Sequence, residues 1–303
     1  MTRGYEGRLY ILAFDHRGSF QKKMFGISGD PSPEQTSTIA DAKSVIFEGF
    51  KRALDEGAPK DAAGILIDEQ FGADAAREAK ASGILLAMPV EKSGRDDFDF
   101  EYGDDFGAHI ESFDPAFSKV LVRYNTAADR DMNRAQNERL KRLSDWLHEH
   151  DRKFLFELLV PATDEQLESV GGDGDRYDQE LRPKLMLESI AEIQATGIEP
   201  DIWKIEGLSA REDCEATAHL VRSDGRDGVV CVVLGRGADD NAVDNWLKAG
   251  AGVSGYVGFA IGRTIWWDSL KGYLDKSVSR ADAAARIASN YRRFIDVYAS
   301  AAG

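Results

Sequence analysis

The chain has 303 residues, of which 43% are hydrophobic, so its length and composition are sufficient for a large core. Acidic residues outnumber basic ones, 53 against 38, and the formal net charge of −15 argues against nucleic acid or an anionic membrane as a partner. The two cysteines are too few for a disulfide framework. No apolar run approaches the roughly 18 residues of a membrane span, and the first residues lack the apolar core of a signal peptide. We therefore expect a cytoplasmic protein.

Eight short apolar runs follow one another along the chain, and each has the length and apolar content of a buried parallel strand. The first run ends in a carboxylate, Asp15, and the sixth carries a lysine, Lys204, at its centre. The eight runs occupy residues 9–15, 64–68, 84–89, 119–125, 153–160, 201–207, 228–235 and 254–261.

Helix-start signals separate these runs. Ser32 precedes a proline and stands three residues before Gln35, which is typical of a capping box, and the helix is predicted to continue to about residue 56 and to end at Gly57. Similar boxes begin at Thr163 and Ser209. Further helices are predicted over residues 73–81, 133–149, 182–196, 240–249 and 281–299.

Strands and helices alternate eight times without a linker between them. This pattern favours a closed parallel barrel over an open doubly wound sheet. The sequence therefore predicts an α/β protein with a single (β/α)8 TIM barrel, and one domain over residues 1–303.

The connection after the third run, residues 90–113, is longer than an ordinary connection between a strand and a helix. It is rich in Asp, Glu and Phe. It is therefore a candidate active-site loop or lid.

Lys204 is the candidate nucleophile. Side chains alternate along a strand, so Lys204 shares a face with Ile202 and Glu206, whereas Trp203 and Ile205 lie on the opposite face. If the apolar pair packs against the helices, Lys204 points into the barrel. A buried amine tends to lose its proton, and a neutral amine can form a Schiff base; the alternative is a lysine held in an ion pair with a neighbouring carboxylate.

The same alternation selects the possible partners of Lys204. Glu157 on the fifth strand, Lys119 and Arg123 on the fourth and Asp15 on the first fall on the faces that are expected to line the barrel. A carboxylate in such a place can move protons. The predicted reaction is attack of Lys204 on a ketone, loss of water to give an iminium, and cleavage of a carbon–carbon bond with the iminium as the electron sink.

An anion site is predicted after the last two strands. Gly235 and Arg236 follow the seventh strand, and Gly262 and Arg263 follow the eighth. Glycine allows backbone N–H groups to approach an anion, arginine offers a bidentate fork, and barrels commonly bind phosphate at this place. The alternative is a pair of glycine-rich turns with exposed arginines.

Other polar residues at strand ends complete the expected substrate-binding set. His16 and Arg17 follow the first strand, and Asp68 and Gln70 follow the second, although Asp68 could instead only cap the next helix.

No metal or other cofactor is expected. Of the five histidines, only His16 lies at a strand end, and His148 and His150 are two residues apart on a helix, so their side chains point in different directions. No histidine cluster of the kind that holds zinc is visible. A carbonyl substrate would then depend on the lysine for activation.

Several blocks of sequence resemble the domain that is fused C-terminally to bacterial 5-dehydro-2-deoxygluconokinase. The resemblance covers nearly the whole chain, without the kinase half. The blocks are FDHRGSF at residues 14–20, PVEKSG at 89–94, FDFEYG at 98–103, DFG at 105–107, WKIEG at 203–207 and GFAIGRTIWW at 258–267.

This domain is similar to the class I aldolases of the tagatose 1,6-bisphosphate aldolase kind. The resemblance implies that Lys204 is the Schiff-base lysine, Glu157 the proton-transfer glutamate, Asp15 the first-strand acid and Lys119 the fourth-strand lysine, with Gly262 and Arg263 at the phosphate site. His16 departs from the glutamine that is frequent after the first-strand acid. The implied reaction cleaves 5-dehydro-2-deoxy-6-phosphogluconate to dihydroxyacetone phosphate and malonate semialdehyde in inositol catabolism.

Other functions are also compatible with this sequence. The substrate could be tagatose or fructose bisphosphate or a sulfofructose phosphate, the barrel could bind a sugar phosphate without turnover, or Lys204 could act only as a charge in an isomerase or decarboxylase. A homo-oligomer is expected. The aromatic run IWW at residues 265–267 is more typical of core than of a subunit contact.

Overall fold

The strands of the computed structural model, which describes residues 3–303, form a closed barrel in which each strand pairs in parallel with its neighbours in the sequence. The first and last strands pair directly and close the ring. The predicted (β/α)8 barrel is therefore confirmed. Its strands are β1 (Leu9–Ala13), β2 (Ala63–Leu66), β3 (Leu85–Pro89), β4 (Phe117–Arg123), β5 (Lys153–Leu159), β6 (Ile202–Glu206), β7 (Val230–Leu234) and β8 (Tyr256–Ile261).

Helices connect the strands and surround the barrel. The capping boxes expected at Ser32 and Thr163 are both present. The hydroxyl of each cap residue accepts a hydrogen bond from the backbone N–H of the glutamine three residues later, Gln35 or Gln166, and the side chain of that glutamine accepts one from the backbone N–H of the cap residue. The helices are α1 (Gly18–Phe25), α2 (Pro33–Asp55), α3 (Glu69–Ala81), α4 (Phe106–Phe113), α5 (Arg130–Glu149), α6 (Asp164–Ser169), α7 (Gly174–Arg176), α8 (Arg182–Ala195), α9 (Arg211–Val221), α10 (Asp240–Gly250), α11 (Arg263–Leu274) and α12 (Arg280–Ala302).

The third predicted capping box is wrong. Helix α9 begins one residue later than expected, Ala210 is its N-cap residue, and no side chain caps it. A residue one position from the cap does not direct its hydroxyl at the free N–H groups, so Ser209 cannot serve.

Apolar side chains form two layers, one inside the barrel and one between the barrel and the helices. Alternation along β6 shows the division, because Ile202 belongs to the inner layer whereas Trp203 and Ile205 belong to the outer one. The predicted orientation of this strand is therefore confirmed. Trp266 of the IWW run is also buried in the outer layer, where its indole N–H donates to the carbonyl of Ala13 at 2.9 Å.

Residues 90–113, the candidate active-site loop or lid, contain short regular elements. Glu91 and Phe100 form an antiparallel bridge, a 3-10 turn spans Gly103–Asp105, and α4 completes the segment. Buried phenylalanines hold this segment against the barrel, which explains its aromatic composition: Phe98, Phe100, Phe106 and Phe113.

None of the helices within residues 3–303 combines the length and the apolar character that crossing a bilayer requires.

The cap of α2 offers a test of helix stabilisation. Replacing Ser32 by alanine removes the hydroxyl that accepts the N–H of Gln35, so we expect Ser32→Ala to lower the free energy of unfolding by about 1 kcal/mol. Ser44→Ala, in the middle of the same helix, is the matched control and should change it little. Urea unfolding of both variants measures the difference, and equal stabilities would contradict the capping role.

Candidate active site

Lys204 lies beside Glu157 because their strands are neighbours and the two residues are paired in register. The Lys204 Nζ atom is 3.0 Å from Glu157 Oε2, and the lysine side chain is 3% exposed. Both residues line a cavity of about 710 Å³ at the C-terminal ends of the strands, where barrels place their functional groups. The barrel thus brings together the two residues that strand alternation singled out.

Lys119 is the centre of the charge cluster. Its Nζ atom lies 2.8 Å from Asp15 Oδ2, 2.8 Å from Glu91 Oε1 and 3.0 Å from Glu157 Oε2, and its side chain is 1% exposed. The four residues come from the ends of β1 and β3 and from β4 and β5. One ammonium is therefore shared by three buried carboxyl groups.

Glu91 is fixed in this cluster by the short hairpin that follows β3. Its backbone carbonyl accepts the Arg17 guanidinium at 2.8 Å, and Arg17 also donates to Glu101 at 2.9 Å. Strand alternation also indicates this position for Glu91. Ala87 faces the interior, so alternation through Pro89 directs Glu91 to the same side.

The shared ammonium affects the three carboxyl groups unequally. Burial raises the pKa of each of them. At Asp15 and Glu157 the charges of Lys119 and Lys204 together outweigh burial, so the pKa values of these two carboxyl groups lie below their ordinary range. At Glu91 burial prevails over Lys119 and Arg17, and its pKa is raised. Burial disfavours the charged form of Lys119, but the negative charges of Asp15, Glu157 and Glu91 outweigh it and raise the pKa of the lysine. The cluster therefore contains groups that favour opposite protonation states.

Gly262 and Arg263 form one wall of the cavity at the start of α11. A Cβ atom on Gly262 would stand 2.4 Å from the carbonyl oxygen of Ala13, so only glycine allows this close approach of the last loop to β1. Arg263 donates to the backbone carbonyl of Arg236 at 2.7 Å. Gly237 has φ of +73° and would meet the Arg263 guanidinium at 2.7 Å if it carried a Cβ. These two glycine turns and Arg263 make a cradle that suits an anion.

Arg236 lines the same cavity, but its charge is already paired. Its Nε atom lies 3.1 Å from Glu206 Oε1, and its Nη1 atom donates to Asp178. Asp178 belongs to the single π-helical turn Tyr177–Leu181, which joins α7 to α8. An anion would gain the full charge of Arg236 only by displacing one of these carboxylates.

His16, Arg17 and Arg123 also line the cavity. Arg123 lies towards the rim and donates to the carbonyl of Arg95 at 2.9 Å, so it is part of the cavity but not of the charge cluster. The His16 ring packs edge-on against Trp266 at 5.8 Å between ring centres. Burial lowers the pKa of His16 to about 4, with Arg263 adding to the effect and Asp15 opposing it.

Three residues of the expected substrate-binding set lie outside the cavity lining: Asp68, Gln70 and Gly235. Asp68 is fully buried, accepts the N–H of Phe71 at 2.9 Å as the cap of α3 and pairs with Lys43 of α2. Its placement is thus that of a structural residue, which corrects the assignment to substrate. Gln70 points to solvent on the first turn of α3, and Gly235 is buried beneath the cavity wall.

Within the described residues there is no group of three or more His, Cys, Asp and Glu side chains with the arrangement of a metal site. The cavity therefore has to be interpreted from its lysines, arginines and carboxyl groups.

A (β/α)8 barrel with lysines and carboxyl groups at the C-terminal mouth of its strands defines the class of this protein. The chain belongs to the family DUF2090, described as an uncharacterized protein conserved in bacteria, which matches residues 2–302. No curated protein sequence matches the chain.

Solved structures share the fold. Fructose-bisphosphate aldolase from Plasmodium falciparum, in a ternary complex with TRAP and a small-molecule inhibitor, superposes with a TM-score of 0.67 at 13% identity, covering 97% of this chain and 91% of that chain. An archaeal fructose 1,6-bisphosphate aldolase gives 0.59 at 13% identity, with coverages of 97% and 94%. A Corynebacterium glutamicum protein gives 0.56 at 16% identity, with coverages of 96% and 90%. At these identities the likeness establishes the fold alone.

The placement of Asp68 can be tested by its effect on stability. Asp68→Asn removes one charge of a fully buried ion pair, and we expect it to reduce the free energy of unfolding by about 3 kcal/mol. The control is Glu78→Gln, which breaks the exposed pair with Lys51 and should cost less than about 1 kcal/mol. Denaturant unfolding compares them. A stable Asp68→Asn protein would contradict the structural role.

The neutral imidazole of His16 predicts a particular dependence of stability on pH. Because its pKa of about 4 in the folded protein is below the ordinary value of 6.5, the unfolded chain binds a proton first as the pH falls. Stability should therefore decrease between pH 6.5 and pH 4, by up to about 3 kcal/mol from this group. His16→Gln should weaken that decrease, and His219→Gln controls for the loss of a histidine. Unchanged pH dependence in His16→Gln would refute this effect.

Proposed function

We propose that this protein is a class I aldolase that needs no metal ion and whose Lys204 amine forms a Schiff base with a phosphorylated keto-sugar acid. The observation that carries the proposal is the buried Lys204 amine, 3.0 Å from the Glu157 carboxylate, in a cavity whose wall is an anion cradle. Burial favours the neutral, nucleophilic form of an amine, and a carboxylate within hydrogen-bonding reach can take up the proton that the amine loses.

The reaction follows from this pair. The Lys204 nitrogen adds to the ketone carbon, and the carbinolamine loses water to give an iminium. Glu157 touches both lysines, so it is placed to move the protons of these steps. The bond between the α carbon of the iminium and the β carbon that carries a hydroxyl then breaks. The hydroxyl gives its proton to a carboxylate of the cavity and becomes the carbonyl of the aldehyde that leaves, and the electron pair of the broken bond enters the iminium to give an enamine. Protonation of the enamine and hydrolysis release the second product and the free amine.

Lys119 and Asp15 support these steps as a fixed ion pair. Asp15 is kept ionised by Lys119, and its negative charge favours the cationic iminium on the neighbouring Lys204. Because these charges are oriented before the substrate arrives, they need not reorganise during the reaction.

The phosphate of the substrate is assigned to the cradle of Gly262 and Arg263, with Arg236 beside it. We assign His16, Arg17 and Arg123, which line the same cavity, to the rest of the substrate. The specific substrate that we propose is 5-dehydro-2-deoxy-6-phosphogluconate, cleaved to dihydroxyacetone phosphate and malonate semialdehyde in inositol catabolism. The sequence resemblance to the domain fused to 5-dehydro-2-deoxygluconokinase supports this choice.

The aldolase folds described above also favour an aldolase over a binding protein without turnover. Two of those proteins are named fructose-bisphosphate aldolases, so ketose bisphosphates belong in the same substrate panel. An isomerase or decarboxylase that used Lys204 only as a charge would show no covalent intermediate.

Borohydride trapping distinguishes these functions. With dihydroxyacetone phosphate and borohydride, the wild type should gain a stable covalent adduct on Lys204, because reduction converts the iminium to an amine. Lys204→Ala should fold, gain no adduct and lose cleavage, whereas Lys271→Ala on the exposed face of α11 should behave as the wild type. Mass spectrometry locates the adduct.

Activity should also persist after treatment with a metal chelator. Cleavage by Lys204→Ala at the wild-type rate would remove the iminium from the mechanism.

A further inference from the structure

The charge cluster contains more carboxyl groups than the Schiff-base chemistry above has used. Glu157 lies against both lysines, and Asp15 pairs with Lys119. Glu91 contacts Lys119 through Oε1 only, and its other oxygen, Oε2, is buried without a hydrogen-bond partner among the described residues. A buried carboxylate with an unpaired oxygen is costly, whereas a neutral carboxyl in the same place is much less so.

The groups that face Glu91 come from every neighbouring part of the site. Lys119 of β4 and Arg17 after β1 are cations, at 2.8 Å and 3.4 Å from Oε1. Asp15 after β1 adds a negative charge that opposes ionisation of Glu91. Glu157 of β5 forms an ion pair with the same Lys119 ammonium, and Glu101 of the hairpin forms one with Arg17. Both cations beside Glu91 are therefore shared with other carboxylates.

We propose that Glu91 is the catalytic acid–base residue for the oxygen atom at the carbon–carbon bond that the enzyme breaks. This assignment rests on the proposed aldolase function and names the group that handles one proton of its central step. Glu91 holds that proton when the cavity is empty, and its backbone is fixed by the β3 hairpin and by Arg17.

The step is balanced as follows. In condensation, the enamine carbon attacks the aldehyde carbon, a carbon–carbon bond forms, and the carbonyl electron pair moves to oxygen, which takes the proton of Glu91. In cleavage, Glu91 first releases its own proton to water. Its carboxylate then removes the proton from the hydroxyl, the carbon–carbon bond breaks, the hydroxyl carbon becomes the aldehyde, and the electron pair of the broken bond returns to the iminium to give the enamine. Lys119 and Arg17 compensate the charge of Glu91 while it is ionised.

Two observations favour Glu91 over the other carboxyl groups. Its pKa is raised, whereas the pKa values of Asp15 and Glu157 are lowered, and carboxyl groups driven apart in this way take opposite acid and base roles. The second observation is its Oε2 atom: among the carboxyl oxygens of Asp15, Glu91 and Glu157, it is the one that is buried without a hydrogen-bond partner in the described residues. Glu91 is joined to Lys204 by the contacts through Lys119 and Glu157, and the reacting oxygen is four bonds from the Schiff-base nitrogen.

Glu91→Gln tests the assignment, because the amide keeps the shape of the side chain but cannot transfer the proton. Two reactions are compared at equal pH. The first is condensation of dihydroxyacetone phosphate with malonate semialdehyde, which needs the acid. The second is exchange of the carbon-bound hydrogen of dihydroxyacetone phosphate with deuterated water. This exchange, like borohydride trapping, needs Lys204 but no aldehyde.

We expect Glu91→Gln to reduce condensation by about 10²- to 10⁴-fold, while exchange and trapping persist. In the wild type, the condensation rate should fall as the pH rises through the pKa of Glu91, since the acid form is consumed, and Glu91→Gln should lack this decrease. Glu78→Gln, an exposed glutamate of α3, should match the wild type in all assays.

The contrary outcomes are distinct. If condensation and exchange fall together in Glu91→Gln, Glu91 acts only through Lys119, and the assignment is overturned. If Asp15→Asn shows the selective loss and Glu91→Gln does not, the proton belongs to Asp15. If the wild type itself gives no trapped adduct, the aldolase proposal fails, irrespective of Glu91.

Discussion

The buried ammonium of Lys119 determines the electrostatics of this barrel. Removing a cation from water is costly, and three carboxyl groups from three other strand ends offset that cost. No single carboxylate receives the whole charge, and the pKa values of the three groups are shifted in different directions. The charge of Lys119 therefore acts on every carboxyl group of the cluster.

This arrangement depends on the barrel rather than on local sequence. The four residues are far apart in the chain, and only closure of the ring brings the end of β1 near β4 and β5. Side-chain alternation then makes the inner face of each strand a fixed set of positions. Towards the base of the barrel this face is apolar, and near the mouth it carries charge, as Ile202 and Lys204 show on one strand.

Alternation is also why much of the site could be predicted. Eight apolar runs indicated the barrel, and strand parity placed Lys204, Glu157, Lys119 and Asp15 on its inner face. The same alternation through Ala87 and Pro89 directs Glu91 to the inner side, but its place against Lys119 also depends on the antiparallel bridge between Glu91 and Phe100, which the pattern of residues 90–113 does not indicate.

Two other residues show where sequence reasoning ends. Asp68 stands at a strand end like a functional residue, but its partner Lys43 comes from a helix that the pattern cannot orient. Ser209 matched a capping motif, but the helix begins after Ala210. In both cases the decisive information is the tertiary position of a helix, which a one-dimensional pattern does not contain.

The pairing of Arg236 with Asp178 and Glu206 has a consequence for selectivity towards small ions. Chloride, sulfate and other common solutes that enter the mouth meet a guanidinium already satisfied by carboxylates, so they gain little there. A ligand that is also held elsewhere in the cavity can supply the free energy to separate that pair. The paired guanidinium therefore discriminates between an anion that is part of a larger ligand and a free ion.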